Sequence, residues 1–186
     1  MKNRRIERKW VFRNVDHLLV LNSLLRSQFF FKYHYPSRRI NSIYYDDINL
    51  SNITHNLYGI SNRVKYRVRW YGGNSDNLKN PNFEIKRKRN FETQKKIISL
   101  KNFNNISHNS ERDLNYLTKF INDNIILRKI LSPSLLINYH RIYLISSNKL
   151  IRATIDYEVK SKRFLNFKND FFCNFKDVIL ELKYEP

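Results

Sequence analysis

Glycine is scarce in this chain of 186 residues: only Gly59, Gly72 and Gly73 are present. Neither a P-loop nor a dinucleotide fingerprint can be written with so few, so any phosphate bound here must be held by side chains. The one cysteine, Cys173, has no intramolecular disulfide partner and cannot build a multi-cysteine zinc site, which suits a reducing, cytoplasmic setting. No run approaches the roughly 20 apolar residues of a transmembrane helix. The best stretch, Ile125 to Leu131, is broken by Arg128 and Lys129. Met1 to Lys9 is basic but runs into Trp10, Val11, Phe12 and Arg13 rather than an apolar core and a small-residue cleavage site, so it reads as structure and not as a signal peptide. Acids are also short: 16 Asp plus Glu against 35 Lys plus Arg leave a formal net charge of +19.

That surplus points to polyanions, and three classes compete: nucleic acid, anionic lipid and a phosphate-rich small molecule. With 41% hydrophobic residues the chain can build a core, and its length fits a single domain over 1–186. The Asn-rich segment from Lys101 to Ser110 reads as a surface loop. Two helices are predicted. Val15, Leu18, Leu19, Leu25 and Phe29 recur at helical spacing behind Asp16, a cap residue, giving Asp16 to Gln28. The second runs from Ser110 or Glu111 to about Lys129, with Leu114, Leu117, Ile121 and Ile125 as its apolar stripe.

Elsewhere the period is two, the signature of strands. Arg63, Lys65, Arg67, Arg69 and Tyr71 alternate with Val64, Tyr66, Val68 and Trp70. Glu84, Lys86 and Lys88 alternate with Phe83 and Ile85, and Glu7 and Lys9 with Ile6, Trp10 and Phe12. Arg152, Thr154 and Asp156 alternate with Ile151, Ala153 and Ile155, and Glu181 and Lys183 with Leu180, Leu182 and Tyr184. Further strands are predicted at Arg39 to Asp46, Leu135 to Ser146 and Glu92 to Ile98, the last after a turn at Arg89 to Phe91. A solvated sheet face would mix signs, whereas like charges crowded along one face are destabilising unless an anion sits among them. Single acids, Glu7, Glu84, Asp156 and Glu181, recur inside the basic rows. A nucleic-acid surface has little use for them, but a metal-complexed polyphosphate needs both kinds of group: Lys and Arg for phosphate oxygens, carboxylates for Mg²⁺ or Mn²⁺. Closed into a barrel, such a sheet would carry its charges inside and its apolar sides outward under helices. Tyr44, Tyr45 and Trp70 are read as packing the wall rather than stacking on a base, and the five histidines lack ligand spacing.

Several of these strands, in order, resemble the polyphosphate polymerase domain of the vacuolar transporter chaperone (VTC) family, within the triphosphate tunnel metalloenzymes of the CYTH-like superfamily. Glu7-Arg8-Lys9-Trp10-Val11 is similar to the family's opening E-x-K strand, and Ser42-Ile43-Tyr44-Tyr45-Asp46 to its S-I-Y-F-D. Gly59 followed by Arg63, Lys65, Arg67, Arg69, Trp70, Tyr71 and Gly72 resembles G…R-x-K-x-R-x-R-Y-Y-G. Phe83-Glu84-Ile85-Lys86-Arg87-Lys88 resembles E-x-K-x-K, with Lys95 or Lys96 at a later basic position. Tyr139-His140-Arg141 looks like Y-x-R, Arg152-Ala153-Thr154-Ile155-Asp156 like R-x-T-x-D, and Leu180-Glu181-Leu182-Lys183-Tyr184 like the closing L-E-x-K-Y.

The resemblance implies an α+β, mainly β fold: an antiparallel eight-stranded tunnel barrel with a charged lumen and helices packed outside. It implies ATP and inorganic polyphosphate as ligands, a divalent metal (Mn²⁺ or Mg²⁺) as cofactor, and γ-phosphate transfer from ATP to a chain end. By carry-over, Lys9, Arg67, Arg69, Lys86, Arg141 and Arg152 bind phosphate, with Lys65, Lys88 and Lys183 beside them. Arg67, Arg69, Lys86, Arg141 and Arg152 would neutralise the transition state. Glu181 would hold the metal, with Glu7, Glu84 and Asp156 as metal ligands or groups behind them. The family's strand is followed by a helix bearing a Ser-Lys motif, whereas this sequence stops at Glu185-Pro186, so the element is expected to be missing. Alternatives are a hydrolase of tripolyphosphate or nucleoside triphosphate in the same tunnel, a non-catalytic binding module, and an RNA-binding protein, against which the interleaved acids argue.

Overall fold

A computed structural model describes residues 6–72, 77–90, 92–127, 129–164 and 172–185. The chain is mainly β, with strands β1 (Ile6–Phe12), β2 (Lys32–Asp46), β3 (Arg63–Tyr71), β4 (Asn82–Arg89), β5 (Glu92–Ser99), β6 (Ser132–Ile145), β7 (Arg152–Arg163), β8 (Cys173–Phe175) and β9 (Val178–Tyr184). Helices are α1 (His17–Leu25), α2 (Ser51–Leu57) and α3 (Glu111–Asn124). The strand order is β1-β9-β7-β6-β2-β3-β4-β5, with the short β8 beside β7. The pairs β1 with β9, β9 with β7, β3 with β4 and β4 with β5 are antiparallel. The eight strands on the main path match the predicted number.

Two compact units are distinguished. The first comprises Met1–Ile40, Asn138–Lys160 and Cys173–Pro186. Its core sets Val20 and Leu21 of α1 against Ile142, Leu144, Ala153, Ile155, Val178 and Leu180. Asp16 caps α1 as predicted, its Oδ1 accepting from the Leu18 amide at 2.9 Å. The helix ends at Leu25 rather than Gln28, where the Ser27 hydroxyl turns back to the Leu24 carbonyl at 2.7 Å. Leu18 and Leu19, read as core-facing, are exposed. In so apolar a helix more than one stripe fits the period, and the sheet contacts Val20 and Leu21 instead.

The second unit comprises Asn41–Ile137 and Ser161–Phe172. Leu114, Leu117 and Ile121 of α3 pack on Tyr45, Tyr66, Val68, Trp70, Phe83 and Ile85, burying the apolar face of β3 and β4. Each such side chain contributes about 1.5–3 kcal/mol by leaving water. Ser110 caps α3 through its Oγ, which accepts from the Asp113 amide at 3.2 Å. The helix stops at Asn124, short of Lys129, because Ile125 is extended and the Asn122 side chain grips both the amide and the carbonyl of Leu131. The Lys101–Ser110 segment is more than a surface loop: Lys101–Phe103 forms a 3-10 turn, and Phe103 is buried with its ring centroid 4.8 Å from that of Phe120. The turn expected at Arg89 to Phe91 joins β4 to β5, although Phe91 itself lies outside the described residues.

Helix α2 was not anticipated. Its N-cap residue, Leu50, sits in the left-handed region at φ 52° and offers no side-chain cap. Two upstream aspartates take that role: Asp46 accepts from the amides of Asn52 (2.9 Å) and Ile53 (2.8 Å), and Asp47 from that of Ser51 (2.9 Å). Gly59 follows the helix at φ 66°, a conformation L-residues rarely adopt. Among the described residues no helix is long and apolar enough to cross a membrane.

Candidate functional site

With one sheet face buried under α3, the side chains of opposite parity on β3, β4 and β5 share the other face. Register places Arg63 opposite Lys88, Lys65 opposite Lys86, Arg67 opposite Glu84 and Arg69 opposite Asn82. Lys86 lies in turn opposite Lys95 of β5. Lys65, Lys86 and Lys95 therefore form one row of three ammonium groups across three strands. Lys96 faces the other way, opposite Ile85, so parity selects Lys95 as the later basic position.

Among these cations stands the carboxylate of Glu84, which is buried. Its Oε2 accepts from Arg67 Nε at 2.7 Å and lies 2.6 Å from Arg67 Nη2, while its Oε1 accepts from Lys95 Nζ at 2.8 Å. Burial alone would raise the Glu84 carboxyl, but Lys95 and Arg67 outweigh it and hold it below its ordinary range. Arg67 Nη1 also donates to the Tyr44 hydroxyl at 3.3 Å, and Arg69 Nε to Ser42 Oγ at 3.1 Å. Of the three aromatic residues read as wall packing, Tyr45 and Trp70 are in the core, whereas Tyr44 lies among the cations. Burial pushes the Tyr44 phenol up, yet Arg67, Arg69 and Lys65 together bring it below its usual value.

The first unit carries the remaining predicted residues. Glu7 is opposite Lys183 and Lys9 opposite Glu181, and β7 adds Arg152 opposite Lys183 and Thr154 opposite Glu181. Lys9 Nζ sits 2.9 Å from Glu181 and 3.3 Å from Glu7, and Lys183 Nζ 2.5 Å from Glu181 and 3.6 Å from Glu7. Burial would raise the Glu181 carboxyl, but Lys183 and Lys9 pull it down to about 2. Arg141 grips Asp156 with two parallel bonds, Nε to Oδ1 at 2.5 Å and Nη2 to Oδ2 at 2.6 Å. That fork outweighs desolvation and keeps the guanidinium well above its ordinary value.

Thr154 was not singled out by the sequence reading, although it stands inside the R-x-T-x-D segment. Its hydroxyl is buried with no hydrogen-bond partner among the described residues, beside Glu181 in register. Such an orphaned group costs about 1–3 kcal/mol unless something satisfies it. Among the described residues no group of three or more His, Cys, Asp and Glu is placed to hold a metal by itself.

A profile of the VTC domain matches residues 4–186. The chain belongs to the VTC-domain family. No curated protein matches it significantly. Among solved structures, a provisionally named adenylate cyclase from Vibrio parahaemolyticus superposes with a TM-score of 0.50 at 9% identity, covering 97% of this VTC domain and 76% of that chain. A second provisionally named adenylate cyclase, from Bacillus halodurans, gives a TM-score of 0.49 at 10% identity, covering 96% and 79%. At 9% identity the Vibrio likeness is one of fold alone.

Proposed function

We propose that this VTC domain binds the phosphates of ATP and of inorganic polyphosphate on the two charged faces, and transfers the γ-phosphate of ATP to a polyphosphate chain end. The observation that carries this reading is the Lys65, Lys86 and Lys95 row, flanked by Arg67 and Arg69, with the Glu84 carboxylate opposite Arg67. Cations in direct register across three strands set out a line of donors along which the oxygens of a linear polyanion can lie. The fork of Arg67, already aligned by Glu84 and Tyr44, matches phosphate geometry. Arg69 and Lys88 extend the face along β3 and β4, and in the other unit Lys9, Lys183, Arg152 and Arg141 supply further cations.

In such a transfer the terminal oxygen of the chain attacks the γ-phosphorus in line, and ADP leaves with the electron pair of the broken P–O bond. No protein nucleophile is needed. The protein's contribution is to position both ligands and to neutralise charge as it spreads over the transferring group. In the second unit Arg67, Arg69 and Lys86 are assigned that role, and in the first unit, taken by itself, Arg141 and Arg152.

The fold family implies a divalent ion, and the residues present fit one bound jointly with substrate. Glu181 and Glu7 offer hard oxygens on neighbouring strands, and the unsatisfied Thr154 hydroxyl stands next to Glu181. Mg²⁺-type ions use one or two carboxylates plus substrate phosphates rather than an all-protein cage. When bound, the ion would supply charge neutralisation to the phosphates. Lys9 and Lys183, which now hold Glu181, would be released to bind phosphate oxygens. The lone cysteine fits a reducing, cytoplasmic site of action.

Incubating the protein with ATP and Mn²⁺ and resolving the products on a gel tests the reaction. Polyphosphate ladders that disappear in Arg67→Ala are expected. Release of inorganic phosphate without ladders would replace synthesis with hydrolysis, and binding without turnover would reduce the domain to a binding module.

A further inference from the structure

One cluster of the first unit is absent from the phosphate scheme although it borders it. Arg141 and Tyr143 are two residues apart on β6, so their side chains leave the same face of the strand. Arg38 of β2 donates from Nε to the Tyr143 hydroxyl at 3.1 Å, and its guanidinium lies over the Tyr143 ring, 5.1 Å from the centroid. Tyr35 meets the same ring edge-on at 5.9 Å and carries the His34 ring 3.9 Å away. Tyr35 is 54% exposed, a planar ring presented to solvent rather than packed in a core.

From this arrangement we propose that Tyr35, Arg38 and Tyr143 form a nucleobase subsite, taking the purine ring of a nucleoside triphosphate whose phosphates run on to Arg141. The inference rests on the proposed function and adds what distinguishes the nucleotide from the polyphosphate chain. Two features support it. Phenol rings and guanidinium planes are the surfaces on which bases stack, and stacking tolerates any base because each has a π-face. The phosphate-type cation Arg141 is next along the same face, about 7 Å away at the strand repeat, which is roughly the length of one sugar between a base and its first phosphate.

Inorganic tripolyphosphate has charge but no base, so it separates this inference from the one beneath it. Binding of ATP and of tripolyphosphate is measured calorimetrically for the full chain and for Tyr35→Ala and Arg38→Ala. Tyr35→Ala is expected to weaken ATP about tenfold and to leave tripolyphosphate within twofold. Arg38→Ala is expected to weaken ATP more than tripolyphosphate. Equal losses on both ligands, or unchanged ATP binding with tripolyphosphate still bound, would overturn the base subsite and leave the phosphate site standing. No tripolyphosphate binding by the unsubstituted chain would overturn both. Tighter binding of single-stranded RNA than of ATP, lost in Tyr35→Ala, would reassign the cluster to a polynucleotide and overturn the mononucleotide subsite.

Discussion

Two ammonium groups, Lys183 at 2.5 Å and Lys9 at 2.9 Å, hold a carboxylate that burial alone would keep protonated to higher pH. The Glu181 pKa falls from 4.5 to about 2, so its ion pairs add stability that is complete above pH 4.5 and is lost as the pH falls through 2. The shift corresponds to about 3 kcal/mol. Glu181→Gln should therefore flatten the acid limb of a stability-against-pH curve between pH 4.5 and 2, measured by urea unfolding at each pH. An acid limb identical to that of the unsubstituted protein would contradict the assignment. At this scale the sequence was legible where parity decides. The alternation of Arg63 to Tyr71 already sorted cations from core residues, and register then separated Lys95 from Lys96. Thr154 and Tyr44 were harder, because a hydroxyl or a phenol on a charged strand carries no sign to mark it. Only the cross-strand surroundings reveal that the Thr154 hydroxyl has no hydrogen-bond partner among the described residues and that Tyr44 accepts from Arg67.

Among the elements, α2 depends on residues outside itself. Leu50 offers no cap, and the Asp46 carboxylate accepts from Asn52 and Ile53 amides while also receiving the Asp47 amide and the Asn52 side chain. Asp47 adds an ion pair with Lys129, and its carboxyl sits at about 2. Asp46→Ala should cost about 2–3 kcal/mol in chemical denaturation, as expected for a buried charged cap. A cost under about 0.5 kcal/mol would show that the amides find other partners. This also explains why the helix escaped the sequence reading: Ser51 to Leu57 offers only Ile53 and Leu57 at helical spacing, buries neither, and is stabilised by groups that precede it. Strands were easier, since a one-residue shift would exchange every charge for a core residue. Strand ends were less so; β2 begins at Lys32, seven residues before the predicted Arg39, because its first half alternates aromatic and polar groups that stay exposed.

Over the whole molecule the net charge of +19 separates into scattered surface lysines and ordered rows on strand faces. Scattered charge attracts any polyanion and is screened beyond about 8 Å in physiological salt, whereas the rows make short contacts that should survive it. Selectivity for phosphate chains over nucleic acid is the property this predicts. Calorimetric titration of tripolyphosphate in physiological salt, comparing the unsubstituted chain with the Arg67→Ala, Lys86→Ala double variant, tests it most directly. Loss of two charge-assisted contacts predicts a fall in affinity of at least about a hundredfold, with the far-ultraviolet dichroism spectrum unchanged. Tripolyphosphate affinity within threefold of the unsubstituted value would contradict the account.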